Sequence, residues 1–192
     1  MTGILPSPRP RTTADDPQPI TQGPPMPRTP NRQSKIKNPK SNMPLTHLDS
    51  QGRARMVDVG HKPPMHRLAV AQGDFVAAAE TLDRLLAGEL PKGEALAVAR
   101  IAGIAAAKRV DELIPLCHTL PRDHVSVDFE RVAPDRLRVT AGASLVGRTG
   151  VEMEALTAVT LACLTLYDMT KAVDKALRIE GVTLVRKEKR KV

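Results

Sequence analysis

The stretch Val125-Ser126-Val127-Asp128-Phe129-Glu130, a turn at Ala133-Pro134-Asp135, and then Leu137-Arg138-Val139-Thr140-Ala141-Gly142-Ala143 decides the fold class. Apolar residues alternate with polar ones on both sides of a proline-containing turn. A period of two puts Val125, Val127 and Phe129 on one face, and Leu137, Val139, Ala141 and Ala143 on one face of the next run. This is the pattern of an antiparallel hairpin with one face buried.

Outward from the hairpin the period changes. Gly147-Arg148-Thr149-Gly150 opens a long helical segment expected to reach about Lys175, and Ile179 to Val185 reads as a closing strand. On the other side, Thr81, Leu82, Leu85 and Leu86 recur at helical spacing up to a stop at Gly88, and Pro91-Lys92-Gly93 is a turn. Glu94 to Arg109 is a second, alanine-rich helix in which Gly103 leaves room for a neighbouring backbone. Arg55 to Val59 reads as a short strand before the turn His61-Lys62-Pro63-Pro64, and His66 to Ala77 fits a strand or a helix start. Helices packed on a mainly antiparallel sheet make the class α+β.

Residues 1–44 differ in texture, with 11 of the 17 prolines and a net charge of +5. Such a segment buries too little apolar surface to offset its ordering entropy, so a disordered, basic tail is expected. Folded-type sequence begins after Met43, so that methionine is an alternative start of translation to Met1. The run Arg186 to Lys191 adds +4 and reads as a solvated basic end, so residues 188–192 are expected to be a C-terminal tail. Of the total of +8, the body from 45 to 185 carries only −1. With no Trp, one Tyr and two Phe, the chain lacks stacking platforms for single-stranded nucleic acid, and no specific nucleic-acid partner is expected.

Cys117 and Cys163 stand apart with no CxxC spacing, so neither a zinc site nor a disulfide framework is indicated, and a reducing, cytoplasmic compartment is the default. Charges interrupt every apolar run that approaches bilayer length.

The residues able to carry chemistry are few. Asp168 and Lys171 are three apart and share a helix face. Spacing alone favours an ion pair on a solvated helix end. A carboxylate beside an ammonium is also what proton transfer next to a phosphate requires. Thr149 and Glu152 fit a capping box, a structural role that competes with any binding role for Glu152. The helix start that they open, with Arg148 beside it, suits an anion. Glu154 shares a face with Asp168 but stands fourteen residues earlier, about 21 Å away at ~1.5 Å per residue, too far for one small site within one chain. His118 sits next to Cys117 in a loop bounded by Pro115 and Pro121; a lone His there is either hydrogen-bonded structure or an acid–base group. Lys92, and the group His61, Lys62, His66 and Arg67, read equally as solvated surface. The inventory of several cations, few carboxylates, one His in a proline-bounded loop, no serine triad and no metal cage suits a phosphate-bearing substrate.

Five strings, in order, resemble the MoaC family, the cyclic pyranopterin monophosphate synthases of molybdenum-cofactor biosynthesis. They are Met56 to Val59, Ala99 to Arg109, Leu113 to His118, Thr149 to Ala158, and Tyr167-Asp168-Met169 with Lys171-Ala172-Val173. The resemblance covers about residues 45–187 and implies a ferredoxin-like sandwich assembled as a homohexamer, a trimer of dimers, with active sites at the dimer interface. It implies conversion of 3′,8-cyclo-7,8-dihydroguanosine 5′-triphosphate to cyclic pyranopterin monophosphate and diphosphate. By position, Asp168, Lys171, Lys92 and His118 match the family's catalytic set. Leu116, Cys117, His118, Glu152, Met153 and Glu154 match its substrate-contacting segments, and Arg67 matches a basic residue that reaches a neighbour's site. No cofactor is required and no protein-held metal is implied; Mg2+ would come with the diphosphate. The chain departs from most relatives at Glu94, Thr119 and Thr170, where they read Asp, Pro and Cys. Thr119 is expected to loosen the loop that holds His118, and Thr170 argues against a thiol role there.

Overall fold

In the computed structural model, residues 51–121 and 123–192 are described; the tail expected over 1–44 lies outside them. The chain runs β1 (Met65–Val76), α1 (Ala79–Leu86), α2 (Ala95–Ala107), the one-turn α3 (Val110–Leu113), β2 (His124–Ala133), β3 (Arg136–Gly147), α4 (Glu152–Thr170) and β4 (Arg178–Lys191). One sheet holds all four strands in the order β2-β3-β1-β4, every neighbouring pair antiparallel. Each helical crossover skips one strand, which is the split βαβ arrangement of ferredoxin-like folds. The hairpin read from residues 125–143 is β2–β3, with Val127 opposite Ala141 and Phe129 opposite Val139.

One face of the sheet carries the core. Ala69, Ala71 and Phe75 of β1 and Leu137, Val139, Ala141, Ala143 and Leu145 of β3 are buried beneath α2 and α4. Along α4, Ala155, Ala158, Val159, Ala162, Cys163 and Leu166 form a buried stripe at intervals of three and four, the spacing that keeps one helix face on the core. The Cys163 thiol is pushed up to about 12, chiefly by its burial, and is a packing group. Helix α2 crosses α4 at Gly103: a Cβ there would lie 2.8 Å from the Ala158 carbonyl oxygen and 3.3 Å from Ala162 Cβ. The close approach expected of Gly103 is therefore used. Among the described residues, no helix is long and apolar enough to cross a membrane.

Four boundaries differ from the sequence reading. Arg55 to Val59 is not a strand; it runs unpaired, ends in a turn closed by Lys62 N–H donating to Val59 O at 3.0 Å, and lines a cavity. The long helix starts at Glu152 and ends at Thr170, with Lys171 as its C-cap. No side chain caps its N-terminus, so the Thr149/Glu152 capping box does not form; Glu152 pairs instead with Lys187. The closing strand runs six residues past Val185, so the basic run 186–191 lies within β4 and pairs with Met65–Val70. There Glu188 bridges Arg186 and Arg190, two residues to either side and on the same strand face. Charged side chains are what an outer strand tolerates and a core strand does not, so hydropathy hides such a strand.

Candidate active site

Helix α4 organises two clusters of candidate functional side chains, one at each end. At its C-terminal end the segment between α1 and α2 supplies a lysine. Helix α1 stops in a Schellman turn, with Glu89 N–H donating to Arg84 O and Gly88 N–H to Leu85 O, Gly88 taking the positive φ of 74° that this turn requires. The buried Leu90 then anchors a tight turn, Leu90-Pro91-Lys92-Gly93, closed by Gly93 N–H donating to Leu90 O at 2.9 Å. Proline second and glycine fourth suit that turn, and it projects Lys92 toward the end of α4.

Lys92 Nζ donates to Asp168 Oδ2 at 2.7 Å and to the Asp168 carbonyl oxygen at 2.8 Å. That carbonyl is among the last four of the helix, which have no partner within it. On the other side, Lys171 Nζ lies 2.7 Å from Asp168 Oδ1. The carboxylate is thus held between two ammonium groups. Hydrogen bonding from Lys171 first and Lys92 second brings the Asp168 carboxyl down to about 2, and Asp168 in turn raises the Lys171 ammonium above its usual value. All three side chains are open to solvent.

At the N-terminal end of α4 lies a cavity of about 330 Å³. Leu116, Cys117 and His118 form one wall, Glu152, Met153 and Glu154 another, and Val57, Val59 and Lys62 a third. His118 Nε2 is 2.9 Å from the Val57 carbonyl oxygen. A carbonyl only accepts, so Nε2 carries the hydrogen, and in the neutral ring Nδ1 keeps the free lone pair. Glu154 is 2% exposed, while the Cys117 thiol is raised by burial first and then by the charges of Glu154 and Asp111, which keeps it an uncharged wall group. Thr119 does not leave its loop slack: its Oγ1 donates to Asp111 Oδ2 at 2.7 Å. Thr170 is fully buried and donates to Leu166 O at 2.7 Å, a helix-internal bond.

Two of the expected groupings therefore form, and they form apart. Lys92, Asp168 and Lys171 come together; Leu116, Cys117, His118, Glu152, Met153 and Glu154 come together; the body of α4 separates the two sets. Arg67 is in neither. Its guanidinium donates to the carbonyls of Gly147 (3.4 Å) and Arg148 (3.1 Å), and Arg148 donates to Lys62 O at 3.0 Å. This chain of backbone contacts holds the cavity rim. Lys62, which reads from sequence as solvated surface, is exposed and also lines the cavity; its signal was its place three residues after Val59. Among the described residues, no group of three or more His, Cys, Asp or Glu side chains could hold a metal ion.

A split-βαβ domain that pairs two lysines with a carboxylate, and sets an imidazole, a lysine and two glutamates around a cavity, has the groups of an acid–base enzyme. The MoaC family model matches residues 56–190, and the chain belongs to that family. It is 59% identical over 143 residues to the cyclic pyranopterin monophosphate synthase of Novosphingobium aromaticivorans, a match that covers 74% of this chain and 90% of that protein. The proteins of the same name from a Roseiflexus species (58% identical) and from Chloroflexus aggregans (55%) each match over 144 residues, which are 74% of this chain and 91% and 87% of theirs.

Proposed function

We propose that the protein is a lyase that converts 3′,8-cyclo-7,8-dihydroguanosine 5′-triphosphate to cyclic pyranopterin monophosphate and diphosphate, in molybdenum-cofactor biosynthesis. The observation that carries this reading is the Lys92–Asp168–Lys171 cluster, set in a chain 55–59% identical to synthases of that name. A carboxylate held at about 2 is charged at every working pH and accepts protons poorly. In the free protein Asp168 therefore keeps two ammonium groups aimed at one point, and proton donation falls to Lys171, with Lys92 beside it.

The chemistry has two parts. Acid–base groups open the imidazole-derived ring and let it reclose as the pyranopterin. A ribose-derived hydroxyl then loses its proton and bonds to the α-phosphorus, while the bond to the bridging oxygen breaks and diphosphate leaves. His118, Lys62 and the α4 N-terminus sit where phosphate charge would be held. Arg67 reaches a neighbouring subunit's site in this reading. Any Mg2+ would be carried by the diphosphate.

A cavity of about 330 Å³ is at the small end of ligand sites, which run from ~300 to ~1,000 Å³. It suits part of a nucleoside triphosphate, the remainder lying against the lysine cluster of a second subunit. A homohexamer built as a trimer of dimers, with sites at the dimer boundary, meets this need. Ile101 of α2, 69% exposed, and Leu164 of α4, 52% exposed, are the apolar groups such an assembly would cover. A cytoplasmic location goes with this reading.

The test is incubation of the purified protein with the cyclised GTP intermediate and measurement of diphosphate. Release that is lost in Lys171→Ala supports the reading. Binding of the nucleotide without release would make the protein a ligand-binding domain on the same fold.

A further inference from the structure

The loop that carries His118 has no ladder of backbone hydrogen bonds to fix it: residues 117–120 belong to no helix or strand. Among the described residues, three hydrogen bonds and the packing of Leu120 against the core hold it instead. Cys117 N–H donates to Ile114 O at 3.0 Å, closing the turn through Pro115 and Leu116. The His118 ring meets Val57 O at 2.9 Å, and Val57 lies in a segment that is itself unpaired. The third bond, from Thr119 Oγ1 to Asp111 Oδ2 at 2.7 Å, ties the side of the loop beyond His118 to a fixed element. Asp111 belongs to α3, whose Val110 is fully buried and roots that helix in the core. A hydroxyl bonded to a charged carboxylate is shorter and stronger than a neutral pair, so it holds its geometry in contact with water.

We propose that Asp111 and Thr119 are positioning residues: their hydrogen bond latches the loop to α3 and so sets the direction in which His118 enters the cavity. The proposal rests on the reading of His118 as a group that meets substrate. It assigns no chemistry to Asp111 or Thr119 themselves. A proline at position 119 would stiffen the same loop through its fixed φ; here a side-chain bond does that work, and it can be removed without changing the backbone.

The experiment uses the full-length protein with its histidine rings isotopically labelled, read by NMR. Five histidines are present, and comparison with His118→Gln identifies the signal of His118. Thr119→Val and Asp111→Ala should move that signal and lower kcat/KM for the cyclised GTP intermediate by about fivefold or more, as small misplacements of a substrate-contacting group do. Thr119→Ser, which keeps the hydroxyl, should restore both. An unmoved His118 signal with unchanged turnover in Thr119→Val and Asp111→Ala overturns the latch, as does a Thr119→Ser variant that behaves like Thr119→Val. Should Thr119→Val fold poorly, Asp111→Ala decides alone. Absence of diphosphate release by the unaltered protein would remove the functional reading, while the NMR comparison would still decide the latch.

Discussion

Lys92 and Asp168 are 76 residues apart in the chain, yet one ammonium group meets both the carboxylate and the main-chain carbonyl of Asp168, at 2.7 and 2.8 Å. The double contact fixes Lys92 against the end of α4 and leaves Lys171 to hold the other carboxylate oxygen. Removing either lysine frees the other to relax toward Asp168, so single alanine variants at 92 or 171 should lower kcat for diphosphate release by about 10²-fold or more. Circular dichroism should stay as in the parent, because all three side chains are exposed.

The same geometry sets a pH expectation. The Asp168 carboxyl is lowered to about 2, so it is ionised above that value and does not titrate between pH 4 and 9. Asp168→Asn should reduce kcat/KM across that whole range without shifting the acid limb of the profile. An acid limb that disappears in Asp168→Asn would show that the carboxylate titrates in the working range, contrary to this assignment.

Asp174 gives a second pH effect, on stability. It is 8% exposed, and its two oxygens accept from Ala78 N–H and Ala176 N–H, each at 2.8 Å. These bonds, with a further one from Thr81, hold its carboxyl below the ordinary value despite burial. A carboxyl lowered in the folded state stabilises fully above its unfolded value of ~3.9, and the contribution is lost as pH falls through the folded value. Asp174→Asn should therefore cost about 1–3 kcal/mol at pH 7, the worth of hydrogen bonds to a charged group. The difference from the parent should shrink below pH ~4. Denaturant melts at several pH values would check both the size and the sign.

Gly103→Ala pits two effects against each other. Alanine in a helix interior is favoured over glycine by about 1 kcal/mol. The new methyl group would lie 2.8 Å from the Ala158 carbonyl, which is backbone and cannot rotate away. Overpacking of this kind costs about 1–3 kcal/mol, so the variant should be no more stable than the parent and as much as about 2 kcal/mol less. Because α4 carries both functional clusters, turnover should fall with stability. A melting temperature above the parent's would show that the α2–α4 crossing has slack.

What could be read from the chain alone follows from which forces are local. The β2–β3 hairpin was legible because alternation and a proline turn are properties of neighbouring residues, and Gly103 because an isolated glycine in an alanine-rich helix invites a packing reason. The far end of β4 was not, since Arg186 to Lys191 has the composition of a solvated tail and only its pairing with Met65–Val70 makes it strand. Lys92 looked like surface because its partner is 76 residues away. Glu152 matched a capping box by spacing, and Lys187, from the last strand, took it instead. The family strings supplied the groupings that spacing could not, but the tie between Thr119 and Asp111 belongs to this chain's own geometry.

The separation of the two clusters can itself be tested. Glu154 and Asp168 stand about 21 Å apart along one helix, so a site that uses both ends must draw on two subunits. His118→Ala removes a group from one half-site and Lys171→Ala from the other. In a two-fold dimer that carries one of each variant, one site loses both groups and the other loses neither. Co-expression of the two inactive variants under different tags, with random pairing, should then restore about a quarter of the parent's activity. All of it should reside in the doubly tagged fraction. If every site were built within one chain, each would lack one group in every assembly, and the mixture would be as inactive as its parts.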